Sequence, residues 1–154
     1  MSVPSWFDDL LAASEVLAAI DHAEVSDWQR TNDSIRERML RNEPDTPEEE
    51  LPAMDDPPFL VRLGGLGSAL AMSPDITDEE RIRVLSVVEN VLDKGDEAEQ
   101  TAVVTGLLEA MLNHSDTFDL RRLWPSLSPL TQGACLELHT GWGVKVPAWM
   151  TLSE

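Results

Sequence analysis

The sequence predicts an all-α fold, a single-domain orthogonal helical bundle of about six or seven helices over residues 1–154, with a short α-solenoid as the alternative. Three observations predict it. Apolar residues recur at three- and four-residue spacings along most of the chain. Capping signals and Gly or Pro stops separate these periodic stretches. Sustained two-residue alternation is nearly absent, with Gly143-Val144-Lys145-Val146 the one candidate scrap of strand. A chain of 154 residues that is 42% apolar fits one domain with a real core.

The elements follow in order. After Pro4-Ser5, the residues Phe7, Leu10, Leu11, Leu17 and Ile20 mark a first helix. Ser26-Asp27-Trp28-Gln29 reads as a capping box opening a second, with Trp28, Ile35 and Met39 on one face and an end near Arg41. Thr31, Asn32 and Asp33 are poor helix formers, so a later start or a break is expected there. Residues 42–58 hold five prolines and are expected to be an irregular, solvated acidic loop, pinned at most by Leu51 and Met54.

Phe59, Leu63, Leu66 and Leu70 mark a third helix, and Gly64, Gly65 and Gly67 within it suggest close approach of a neighbour. A phosphate-binding loop is the alternative there, but neither GxxxxGK[ST] nor GxGxxG follows a strand. Thr77-Asp78-Glu79-Glu80 caps a fourth helix carrying Ile82, Leu85, Val88, Val91 and Leu92. Lys94-Gly95 ends it, with glycine expected in the left-handed stop. Asp96 opens a fifth helix with a wide apolar arc from Val103 to Leu112, and the fourth and fifth are expected to pair as the hub of the core.

Ser115 or Asp116 is expected to cap a short helix through Phe118, Leu120 and Leu123 to Trp124, stopped by Pro125. Ser128-Pro129 opens a last helix, with Leu130, Ala134 and Leu138 as its apolar face and Gly141 as its end. Residues 142–154 form an irregular tail whose Trp142 and Trp149 are expected to lock it onto the body, an interface being the other use for them.

Charge placement says most about function. Asp and Glu number 29 against 11 Lys and Arg, a formal net charge of −18. Seven acids fall in residues 42–58 with no Lys or Arg, and nine more in 75–100 against three cations. Residues 121–154 are slightly positive. A field of this size repels nucleic acid and anionic lipid and attracts basic proteins. The start has no basic leader region and no apolar run reaches membrane-spanning length, so neither a membrane nor a nucleic-acid partner is expected. The lone Cys135 rules out an internal disulfide and fits a reducing, cytoplasmic setting.

Catalytic signals are weak. Cys135 and His139 are four apart on one helix, but no third group that would orient the imidazole is evident. His22, His114 and His139 lack metal-ligand spacing and no calcium loop is present, so no metal or other cofactor is expected. An enzyme working through scattered carboxylates would need a pocket gathering perturbed groups.

Leu92-Asp93-Lys94-Gly95-Asp96-Glu97 followed by Gly106-Leu107-Leu108-Glu109 resembles a motif of small acidic all-α bacterial proteins associated with polymorphic toxin systems. The resemblance spans the C-terminal two-thirds of the chain, carries no catalytic residue, and implies an immunity protein. The expected function is therefore an immunity or antitoxin-like protein that neutralises a cognate basic toxin, such as a nuclease, by electrostatically steered binding. The expected partner-binding residues are Asp45, Glu48, Glu49, Glu50, Asp55 and Asp56, aided by Asp78, Glu79 and Glu80. DNA mimicry is a variant of this expectation. The alternative is a non-catalytic structural or adaptor domain whose acidity mainly confers solubility.

Overall fold

The structure, a computed structural model, describes residues 3–53, 55–114 and 119–153. Six helices form an all-α bundle, and no strand occurs among the described residues. Helix α1 spans Ser5–Ala12 and α2 spans Glu15–Asn42. Helix α3 is Phe59–Met72 and α4 is Asp78–Lys94. Helix α5 runs through Glu97–Ala102, a π-helical turn Val103–Leu108 and Glu109–Leu112. Two 3-10 turns, Leu120–Arg122 and Trp124–Ser126, lead to α6 at Pro129–Gly141.

The first two helices divide differently from the expectation. The break is at Ser14, whose hydroxyl accepts from Leu17 N at 3.2 Å and donates to Glu80. Ser26 opens nothing: α2 continues for 28 residues through Ser26 and through Thr31-Asn32-Asp33. Ala12, Ala13 and Val16 keep the stretch from Leu11 to Leu17 apolar and hid the real break. Asn32 is tolerated mid-helix because its amide is occupied elsewhere, donating to Ala53 O at 3.1 Å.

Helix α3 is central, and glycine is the reason. A Cβ on Gly67 would collide with the Leu107 carbonyl oxygen, and one on Gly106 would lie 2.9 Å from Leu63 Cβ. Each helix thus presents a glycine to the other. Helix α5 packs most extensively on α3, not on α4, so the expected α4–α5 hub is replaced by an α3–α5 pair. Leu63, Leu66, Leu70, Leu107, Leu108 and Met111, all essentially inaccessible, fill this contact. Arg81 finishes α3, with its guanidinium donating to Leu70 O at 2.7 Å, Ser73 O at 2.9 Å and Ile76 O at 2.5 Å. These carbonyls include ones that a helix end leaves without partners.

Both capping boxes form, Thr77 with Glu80 and Asp96 with Glu99. Gly95 is not left-handed; its φ of −71° is extended. What its missing side chain provides is space, since a Cβ would lie 2.6 Å from Val91 O. The left-handed stop is at Gly143, with φ 69°, where Val144 N donates to His139 O and Gly143 N to Thr140 O, both at 3.1 Å. The candidate strand at 143–146 is this irregular exit from α6.

The short helix expected before Pro125 is instead the pair of 3-10 turns, with Pro125 inside the second. Its expected caps Ser115 and Asp116, with Phe118, lie outside the described residues, as does Met54. Helix α6 is rotated from the expected face. It buries Thr131, Gln132, Cys135 and His139 and leaves Leu130 46% exposed. Gln132 explains the rotation: its amide donates to Trp124 O and Ser153 Oγ, both at 2.9 Å, and its Oε1 accepts from Ser153 N at 2.8 Å. Trp124 Nε1 donates to Thr151 O at 2.7 Å, and Trp124 meets Trp149 edge to face at 5.6 Å. The tail is thereby fastened to the body, with Met150 buried.

Glycine-to-alanine substitutions at two helical sites should have opposite signs. Gly67→Ala gains about 0.5–1 kcal/mol of helix propensity but forces a backbone shift of the kind that costs about 1–3 kcal/mol, so urea unfolding should show net destabilisation. Gly133→Ala, where a Cβ meets only Leu152 Cδ2 at 4.0 Å, should stabilise by about 0.5–1 kcal/mol.

Candidate functional site: an acid-rimmed groove beside an ordered loop

The proline-rich segment is an ordered strap. From Glu43 it runs back along the outer half of α2, with one 3-10 turn at Glu48–Glu50. Gln29, Asn32 and Arg36, spaced i, i+3 and i+7, form the stripe that holds it. Arg36 donates to Pro52 O at 3.0 Å and grips both oxygens of Glu48 at 2.8 and 3.0 Å. Gln29 Nε2 donates to Asp56 Oδ1 at 3.1 Å. Leu51 and Pro57 are buried, so the strap also has apolar anchors. The expectation of a loosely solvated loop gives way to this arrangement because polar side chains of α2 satisfy carbonyls that the prolines cannot pair with one another.

Beneath the strap lies a buried ion pair. Arg62 on α3 makes a two-pronged contact to Asp21 on α2, Nε to Oδ1 at 3.1 Å and Nη2 to Oδ2 at 2.7 Å. Asp21 is 3% exposed. The same guanidinium lies 4.7 Å above the Phe7 ring and 3.9 Å from Asp56. Phe59 meets Trp6 and Phe7 edge to face at 5.5 and 5.4 Å. Helices α1, α2, α3 and the strap therefore converge on Arg62. Glu24 stands close by, and burial, then the Asp21 charge, push its carboxyl above the usual range while Arg62 pulls it down.

Where the strap enters α3, an open groove of about 1170 Å³ runs between the first turn of α3 and the first half of α5. Val3, Pro57, Pro58, Phe59, Leu60, Ala98 and Ala102 supply its apolar surface. Asp55, Asp56 and Glu97 supply its acidic rim, and Thr101 and Thr105 its neutral polar edge. Among the described residues, the only cation lining it is Arg62, already committed to Asp21.

The nine acids expected to bind a partner do not form one surface. Asp45, Glu49, Glu50 and Asp55 are exposed and have no ion-pair or hydrogen-bond partner among the described residues. Glu48 and Asp56 are tied to the strap's supports. Asp78 is engaged by Arg122 at 3.1 and 3.2 Å and by Arg81 at 3.3 Å. Glu80 serves its capping box and Ser14. Ser14 and Arg36 are 22 residues apart on α2, so Glu80 and Glu48 are separated by roughly 33 Å along that helix. The second acidic segment reaches the strap from its other end, through Glu97. Sequence reasoning missed Glu97 and Leu60. The available signal was an apolar residue following Pro57-Pro58 that falls outside the i, i+4 core pattern of α3.

Other candidates resolve on geometry. Gly64, Gly65 and Gly67 lie inside α3, so they build no phosphate loop. Cys135 is fully buried and burial pushes its thiol up to about 12, which keeps it protonated and a poor nucleophile at neutral pH. His139 packs against Trp142, centroids 5.9 Å apart, and its Nδ1 makes no hydrogen bond to the described residues. No group of three His, Cys, Asp or Glu side chains is placed to hold a metal ion among the described residues. Among the described residues, no helix is long and apolar enough to cross a membrane. No protein-family model, curated protein or solved structure matches the chain.

Two outcomes follow from these contacts. Arg36→Ala should free the strap without unfolding the bundle: cleavage by a Glu-specific protease at Glu48–Glu50 should accelerate at least tenfold, while the thermal midpoint moves little. The second concerns acid. Hydrogen bonding from Arg122 holds the Asp78 carboxyl below its usual value, and the Ser14 hydroxyl does the same for Glu80. A carboxyl with a depressed folded value stabilises the fold above its unfolded value and loses that contribution as pH falls through the folded one. Asp78→Asn should therefore be less stable than the parent chain at pH 7, with the gap closing below about pH 4, as read by urea titrations across that range.

Proposed function

We propose that this protein is an immunity or antitoxin-like binding module that captures a cognate basic protein, a toxin such as a nuclease, and blocks it by occupying its surface. One observation carries this reading: Asp45, Glu49, Glu50 and Asp55 stand exposed without side-chain partners among the described residues, while Arg36 and Arg62 are engaged within the fold. Arg36 and Arg62 are both bonded to the strap or beneath it. Such a surface accelerates capture of a cationic partner, by about 10- to 1000-fold at low salt. The cytoplasm is the proposed site of action.

The competing reading, an adaptor whose acidity serves solubility, draws support from Glu79 and Asp93, which are exposed, lack partners among the described residues, and lie outside the groove between α3 and α5. Arg38 and Arg41 on the outer half of α2 also temper the field beside the strap.

Co-expression with the product of the adjacent gene separates the two. An immunity role requires that product to be toxic alone, harmless with this chain present, and recovered in complex with it. Within that complex, association should slow at least tenfold as ionic strength rises from about 0.01 to 0.15 M, where screening shortens from about 30 to 8 Å. Charge reversal of Asp45, Glu49 and Glu50 to Lys should slow association several-fold and leave dissociation nearly unchanged. A neighbour that is harmless alone, or association indifferent to salt, would sink the role.

A further inference from the structure

We infer that the groove between α3 and α5 receives a basic amphipathic helix from a protein partner, with an apolar stripe against Leu60 and Phe59 and flanking Lys or Arg against Asp55, Asp56 and Glu97. The inference deepens the proposed function, resting on it only in taking the partner to be a basic protein.

Three properties select this occupant. The first is size. A groove of about 1170 Å³ exceeds the roughly 300–1000 Å³ of most small-molecule sites. It matches about two turns of a helix some 10–12 Å across. The second is unpartnered apolar surface: Leu60 is 53% exposed and its neighbour Val61 45%, on the first turn of α3. Leu60 belongs to the groove lining, where an apolar anchor from a partner would cover it. The third is charge. The rim carries three carboxylates, and its single cation among the described residues already faces Asp21, so the groove presents net negative potential to an occupant. That excludes nucleic acid and anionic lipid. A second copy of this chain, itself at −18, is repelled as well.

The groove is also rigid where it matters. Helix α5 is fixed there by the Asp96–Glu99 capping box, and Glu99 additionally accepts from Trp6 Nε1 at 2.7 Å. Trp6 packs on Phe59, which lines the groove. Its indole is therefore a built-in reporter, and the remote Trp124, bonded to the tail, is a control.

The test uses the full chain, labelled with nitrogen-15, and two helical peptides of roughly 15 residues. One carries Leu at i, i+4 and i+7 flanked by Lys and Arg; the other has the same composition with the stripe scrambled. The striped peptide should bind at least tenfold more tightly, shift the Trp6 indole resonance and leave that of Trp124 in place. Leu60→Asp should weaken it at least tenfold, and Ala98→Trp, which fills the groove from an exposed position, should do the same. Glu97→Lys should weaken binding three- to tenfold and flatten its salt dependence, whereas Glu49→Lys should change affinity less than twofold. Equal binding of the two peptides, indifference to both Leu60→Asp and Ala98→Trp, or a shift at Trp124 in place of Trp6 would overturn the groove assignment. A striped peptide that binds at Trp6 while the neighbouring gene product is not neutralised supports the groove and defeats the toxin reading. Neutralisation unaffected by Ala98→Trp, with no striped-peptide binding, defeats the groove alone.

Discussion

The close approach of α3 to its neighbours is the constraint on which the remaining architecture depends. Gly67 admits the Leu107 carbonyl, Gly106 admits Leu63, and Gly65 admits the Glu24 carboxylate. Side chains at Gly67 and Gly106 would push α3 and α5 apart, and the leucines between them would lose contact. The same helix carries Arg62 to Asp21 on α2. Removing one member of such a pair costs about 3–5 kcal/mol because the other remains buried and uncompensated. The strap ends and the groove opens where this helix begins.

Scarcity of cations is the second organising fact. Of the eleven Lys and Arg residues, Arg36, Arg62, Arg81, Arg83 and Arg122 each bond to atoms of another segment. Arg81 and Arg83 act on backbone: one finishes α3, the other donates to Ala13 O, at 3.2 Å, beyond the end of α1. Arginine suits this work because its planar fork makes several donations at fixed angles. With those cations engaged in holding segments together, the remaining carboxylates have few neutralising partners. The acidic exterior is therefore partly a product of how the interior is fastened, and not only of composition.

The sequence disclosed elements better than it disclosed their partners. Thr77-Glu80 and Asp96-Glu99 were legible because a capping box is local, fixed by residues three apart. The length of α2 was not, since what keeps Asn32 helical is a carbonyl 21 residues away. The face of α6 was misjudged for a similar reason: Gln132 looks like a surface residue until Ser153 and Trp124 are brought around it. The acidic strap was visible as composition, yet its support by Gln29, Asn32 and Arg36 required knowing that it doubles back. The groove was least legible of all. It joins Asp55 to Glu97 across 42 positions, whereas proximity in charge pattern pointed to Asp78, Glu79 and Glu80, which stand at the far end of a helix about 26 Å long.

That separation bears on how such a surface would work. A single pair of unit charges 10 Å apart in water is worth only about 0.4 kcal/mol, and physiological salt screens it over about 8 Å. Scattered acids on the strap are therefore suited to guiding an approach and poorly suited to retaining what arrives. Retention needs water excluded from apolar surface, at about 25 cal/mol per Å² buried, and the groove is where exposed Leu60 and Phe59 offer that surface. Carboxylates at its rim gain strength once an occupant displaces water beside them, because the local dielectric falls. Capture and retention would then be separable in this molecule, the first belonging to Asp45, Glu49 and Glu50, the second to the groove.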